Sequence, residues 1–182
     1  MSAAIQAELQ QLGDDAPKFS EIRQVRNDVI RESQLFLDAQ GAYERLRAVA
    51  EQESPAGDLS LIYSFFRLSD PGSRVTESEF ETAGRAGSLP TRIQLAFNRI
   101  IAGDSLTPSQ RKDFLEAAER QYRSYLRQQQ RLIDDAREFA ERHGLDPEDV
   151  VPGSVIPAEF SREIPRGQRV ELGGGVTLEF LE

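Results

Sequence analysis

Thr107-Pro108-Ser109-Gln110, followed by Arg111-Lys112-Asp113-Phe114-Leu115, is the stretch that decides how this chain folds. A threonine whose third following residue is glutamine, with proline directly after it, reads as N-cap, N1, N2 and N3 of a capping box. No proline or glycine then occurs before Gly144. The spacing predicts one helix from Pro108 to His143, ended by Gly144. Its apolar residues recur at sevens. Leu115, Tyr122, Gln129 and Ala136 form one row, and Ala118, Tyr125, Leu132 and Phe139 form the other. Leu126, Ile133 and Ala140 widen the stripe on one flank.

A second seam of the same length lies upstream. Ala3 to Leu12 reads as a short amphipathic segment stopped by Gly13-Asp14-Asp15, and Pro17 stands where it could open a new helix. From Phe19 to about Gln52, Ile22, Val29, Phe36, Tyr43 and Ala50 form one row. Val25, Ala39 and Leu46 form the interleaved row, broken at Glu32. Two helices of about 35 residues at ~1.5 Å per residue would each be roughly 50 Å long. The simplest packing is antiparallel, with residue numbers across the seam adding to about 165. Glu32 then falls between Gln129 and Ile133, which predicts a shared polar layer that fixes register.

The residues between the seams read as a small helical cap over 58–104. Ser54-Pro55-Ala56-Gly57 ends the first long helix, and Asp58 is the expected N-cap of the next. Leu59 to Leu68 is the most hydrophobic run and is expected to be buried, before the turn Ser69-Asp70-Pro71-Gly72-Ser73. Short helices come next at Glu77 to Ala83 and at Pro90 to Ala102. The second should bury Ile93, Phe97, Ile100 and Ile101 and end at Gly103. After Gly144 the prolines 147, 152, 157 and 165 favour an extended arm. Gln168 to Phe180 alternates about Gly173-Gly174-Gly175 as a β-hairpin. Such a hairpin is marginal alone and needs something to pack on. The fold expected is therefore mainly α. A body over 1–146 has long helices at about 17–52 and 108–143, and a proline-rich arm with a terminal β-hairpin covers 147–182.

Composition narrows the function. The 182 residues are 38% hydrophobic and 29% charged, a balance that suits elongated, wet helices. No apolar run approaches the roughly 20 residues of a membrane span, and no secretory signal is expected at Met1-Ser2-Ala3-Ala4-Ile5-Gln6. With no cysteine, disulfides, thiolate nucleophiles and cysteine metal sites are excluded. The net charge of −9 gathers in 1–57 and 147–182, while the second long helix is balanced. An acidic chain without a basic block is a poor duplex-DNA binder. Arginine far outnumbers Lys18 and Lys112, which reads as the coding bias of a GC-rich genome.

The same residues offer little chemistry. The one histidine, His143, stands at a helix C-terminus, where its cation would offset the dipole. One histidine and no cysteine leave no transition-metal site and no serine triad. Glu77, Glu79 and Glu81 are the closest carboxylates, and they read as a solvated face rather than a catalytic pair. Asp58, Asp70 and Asp104 read as caps. Gly173-Gly174-Gly175 lacks the lysine and helix that complete a phosphate loop. Tyr63, Phe65, Phe66, Phe80 and Phe97 are core candidates for the cap rather than a base-stacking platform. The expectation is no catalytic residue, no cofactor and no metal.

One block carries a resemblance. Ala56-Gly57-Asp58-Leu59-Ser60-Leu61-Ile62-Tyr63-Ser64-Phe65-Phe66-Arg67-Leu68-Ser69-Asp70-Pro71-Gly72-Ser73 is similar to a run found in tailed-bacteriophage virion and prophage-encoded proteins. The order continues through Arg74-Val75-Thr76-Glu77-Ser78-Glu79-Phe80, Ala86-Gly87 and Asn98 to Gly103. It closes on Leu106 to Leu115, which resembles Leu-Thr-Pro-x-x-Arg-x-x-Phe-Leu. The match spans 56–122, somewhat over a third of the chain. It departs at Val75-Thr76, where the family more often has Val-Arg; Arg74 is the nearest substitute. The resemblance implies a non-enzymatic virion component, made in the bacterial host cytoplasm and carried in the particle. Its partners would be copies of itself and a portal, connector or tail protein, in head–tail or tail assembly or in genome delivery as an ejection protein. The arm over 147–182 is expected to reach a neighbouring subunit. A peptidoglycan hydrolase accessory enzyme and a host-cell regulatory helical binding protein are the alternatives.

Overall fold

The computed structural model describes residues 3–157, with side chains from residue 19 onward, together with two strand segments at 169–172 and 176–179. In chain order the helices are α1 (Ala3–Ala50), α2 (Pro55–Ser69), α3 (Glu77–Arg85), α4 (Thr91–Ile101), α5 (Pro108–Arg142) and α6 (Pro147–Val150). A single 3-10 turn, Gly153–Val155, comes after them. The architecture is mainly α.

The α5 start forms as its sequence dictates. Gln110 N donates to Thr107 Oγ1 at 3.2 Å, and Thr107 N donates to Gln110 Oε1 at 2.9 Å. Gly144, at φ +65°, ends it in the left-handed conformation that glycine adopts without strain. α1 runs alongside in the opposite sense. Tyr43 stacks on Tyr122 at 4.4 Å, and Ser33 is bonded to Gln129, so paired residue numbers add to 165 and 162.

The seam differs in detail from strict sevens. Val29, Ser33, Phe36 and Ala39 are the buried steps on α1, while Glu32 is exposed. A row counted by sevens drifts about 20° per heptad round a 3.6-residue helix, enough to trade Glu32 for its neighbour. On α5 the supposed flank of Leu126, Ile133 and Ala140 is buried, and Tyr125, Leu132 and Phe139 are only half-buried. Leu126 is buried against Phe36 and Tyr122, and at Ile133 and Ala140 the chain just beyond Gly144 causes the shift. Val150, Val151 and Val155 pack onto Val29, Ile133, Ala136 and Ala140, and so cover that side of α5. The segment 147–157 is thus not an extended arm: it folds on its own body through α6 and the 3-10 turn, and the packed body reaches Pro157 rather than 146.

Three further boundaries move. α1 is one helix through Gly13 and Pro17, where a break was expected. Interior proline removes one backbone bond and crowds the carbonyl four residues back, a local cost of about 3 kcal/mol that the helix on either side carries. α2 starts at Pro55 on the N-cap Ser54, whose Oγ accepts from Gly57 N at 3.1 Å, so Asp58 is not a cap. A Cβ on Gly57 would lie 2.5 Å from Gln52 O, so the tight return from α1 into α2 requires glycine. Finally, α4 buries Ile93, Ala96, Phe97 and Ile100, while Ile101 is 44% exposed. It falls one residue, about 100°, beyond that face.

The cap packs as one cluster around Leu61, Ile62, Phe80, Phe97 and Phe114. α3 and α4 cross closely because Gly84 has no side chain: a Cβ there would lie 2.6 Å from the Phe97 ring. Farther on, the backbone of Arg169–Leu172 is paired antiparallel with Val176–Glu179. The remaining residues of the expected arm and its glycine turn lie outside the described set. Among the described residues, no helix is long and apolar enough to cross a membrane.

Candidate functional site

Asp58 sits in the first turn of α2 with 0% of its surface exposed. Its Oδ1 accepts from Arg111 Nε at 2.6 Å, and its Oδ2 accepts from Arg111 Nη2 at 3.0 Å and Leu106 N at 2.7 Å. The guanidinium fork meets the carboxylate edge to edge, the geometry that offsets the desolvation of both charges. The bond to Asp58 pushes the Arg111 pKa up, against the downward effect of burial, with the Asp58 and Glu53 charges adding to the rise. Glu53 Oε1 lies 3.4 Å from Arg111 Nη1 but is largely exposed, so its share is small. A carboxylate holding three N–H donors and an arginine that keeps its proton are poor acid–base partners. They form a joint that fastens the start of α2 to the loop and first turn of α5.

The carboxylates at the tip of the cap are also structural. Glu79 Oε2 accepts from Thr76 N and Thr76 Oγ1, each at 2.8 Å, while Thr76 Oγ1 accepts from Glu79 N at 3.3 Å. The backbone bond from Thr76 first, and its hydroxyl second, hold the Glu79 pKa below the ordinary value, with a slight opposing effect of burial. Glu77 is exposed on the same turn, and Glu81 is half-buried. Thr76 is therefore the N-cap of α3, a role an arginine at this position would lack the acceptor to fill. Arg74 is exposed, and the Val75 carbonyl beside it accepts from Tyr63 Oη at 2.9 Å and Arg67 Nη1 at 3.3 Å.

The aromatic residues lie where a core needs them. Phe80 touches Tyr63, Phe66 and Phe97 with ring centroids 5.3, 5.4 and 6.1 Å away. Phe65 meets Phe114 edge-on at 5.1 Å, and the Arg92 guanidinium covers both rings. His143 is the C-cap of α5, stacked on Phe139 at 4.0 Å, with Nδ1 at 2.8 Å from the Phe139 carbonyl. Asp70 is the C-cap of α2, its N–H reaching Phe66 O. Asp104 N donates to Arg99 O just after α4.

A second polar contact lies inside the hairpin. Gln129 is 2% exposed, and its Nε2 donates to Ser33 Oγ at 2.9 Å and to Val155 O at 2.8 Å. The expected layer exists with Ser33 in place of Glu32, and it also ties down the 3-10 turn. Beside it a groove of about 190 Å³ opens between Glu32, Leu35 and Phe36 of α1 and Tyr125, Gln128 and Leu132 of α5.

Among the described residues no group of three or more His, Cys, Asp or Glu could hold a metal. Two residues of these contacts, Arg111 and Ser33, are not among the expected site residues, but spacing marks both. Arg111 opens the series 111, 114, 118, 122, the three- and four-residue spacing of the buried face, which makes it an inward cation. Ser33 is the matching step between Val29 and Phe36. Against family models, curated proteins and solved structures, the chain matches none.

Proposed function

We propose that the chain is a non-enzymatic structural component of a tailed-phage particle, acting in head–tail or tail assembly or in genome delivery. The supporting observation is where the phage-like block falls. Asp58 stands at its start, and Leu106 and Arg111 stand in its closing motif; these residues meet in one buried joint. The joint closes the two ends of the block on each other, while α2 packs the block onto α1 at one end of the two long helices. Two long packed helices with a fastened end suit a part that transmits position rather than one that turns over substrate.

The residues after Pro157 supply the other half of the reading. The twelve residue steps from Pro157 to Arg169 would span up to about 40 Å at full extension. The terminal hairpin could therefore add its strands to a neighbouring subunit, which would lock identical copies together. The deciding experiment is to look for the chain in purified particles by quantitative mass spectrometry. A fixed copy number per particle is expected. Absence from particles, or cell-wall lysis in a zymogram, would overturn the reading.

A further inference from the structure

The two faces of the α1–α5 hairpin are covered at opposite ends. On one face α6 and the 3-10 turn cover the end far from the cap, where Arg26 Nη1 donates to Asp149 O at 2.9 Å. Leu35 is nine residues on from Arg26, about two and a half turns, so it points to the other face. There α2 covers Ala39, Ala42, Leu46 and Ala118 from the cap side and stops at Ser69. Beyond that point the α5 row keeps its seven-residue spacing through Tyr125 and Leu132, both half-buried, and the groove opens beside them. Leu35 is 44% exposed at the edge of the groove.

This patch has the features of a surface that pairs with itself. It holds an exposed apolar side chain, Leu35, on its α1 wall and the rings and chains of Tyr125, Gln128 and Leu132 on its α5 wall. Among the described residues, Glu32 on the α1 rim and Arg131 on the α5 rim make no ion pair. The Ser33–Gln129 bond places them at nearly the same level. A two-fold contact requires each feature and its complement on the same patch, at the same level.

We propose that the uncovered part of this face is a homodimer interface. The axis runs along the helices, so that α1 of each copy rests on α5 of the other. Leu35 of each copy rests against Tyr125 and Leu132 of the other, and Glu32 meets Arg131 twice across the contact. The four long helices then form an antiparallel bundle. A heptad-spaced groove suits a helix, and both long helices are offered by a second copy, which is why a second copy is the assigned occupant. The proposal rests on the assembly reading and adds a second self-contact to that of the terminal hairpin, and it is tested in solution, where presence in a particle plays no part.

The full-length chain should sediment as a dimer. Leu35→Lys, at an exposed position, should leave the helical circular dichroism unchanged and weaken association about tenfold per contact, hence about a hundredfold for the pair. Glu32→Arg and Arg131→Glu should each weaken it, and the double reversal should restore it. A photo-crosslinker at position 35 should capture α5 of another copy. A chain that is monomeric at every concentration overturns the proposal, as does a dimer indifferent to Leu35→Lys. Crosslinks from position 35 to residues 158–182 of the same chain would assign the groove to those residues instead.

Discussion

The hairpin is fastened by two buried polar contacts of opposite kind. At the cap, Asp58 and Arg111 are both charged and both desolvated, and the fork geometry allows one relative orientation of α2 and α5. Half-way along the rod, Ser33 and Gln129 are neutral, and one amide serves α1 and the 3-10 turn together. A charged joint is costly to disturb because either partner alone is an uncompensated buried charge. A neutral layer sets register at a lower cost and tolerates change better.

The sharpest way to break this contrast is at Asp58. Asp58→Ala should lower unfolding stability by about 3–5 kcal/mol, read by chemical denaturation, because Arg111 stays buried without its counter-charge. Asp58→Leu with Arg111→Met should recover much of that loss, with Leu106 N–H still lacking its acceptor. If both variants fall equally, the joint is not an ion pair in energetic terms. Gln129→Leu should cost about 1–3 kcal/mol by leaving Ser33 Oγ and Val155 O unpaired. It should also make the chain after Gly144 the first site of proteolysis.

Smaller effects sharpen the comparison. Glu32→Leu should change stability by no more than about 0.5 kcal/mol, since the exposed Glu32 is not in the layer; a clear rise in Tm would return it to the seam. The smallest effect belongs to the α3 cap. Glu79 has a depressed folded pKa, so its contribution is present above the unfolded value of 4.5 and fades as pH falls through the lower folded value. Glu79→Gln should remove that part of the acid dependence, followed by hydrogen exchange at the Thr76 and Glu79 amides.

Much of the rod was legible because its signals are local and repeated. Thr107-Pro108-Ser109-Gln110 defines a start, Gly144 an end, and two seams of similar length give the antiparallel pairing near the register expected. The joint was not legible, since Asp58 beside Pro55-Ala56-Gly57 has the composition of an N-cap. Only tertiary contact with a residue 53 positions away makes it a buried anion. The 147–157 segment misled for a similar reason. Its prolines forbid a long helix but not a four-residue helix and a turn, and its valines find a home only once Ile133 and Ala140 are in place. No local pattern marks a carboxylate as catalytic here, and Glu79 is the N3 partner of the Thr76 cap.

The sequence distances across the seam carry a consequence for how the chain reaches this state. Asp58 and Arg111 are 53 residues apart, Tyr43 and Tyr122 are 79 apart, and Ser33 and Gln129 are 96 apart. Loop closure grows harder with each step away from the cap. The structure should therefore zip shut from the cap toward the open end, with the 3-10 turn seating last. During synthesis α1 must wait, its apolar stripe uncovered, until α5 has left the ribosome. The same gradient run backwards makes the open end the place where the rod first frays.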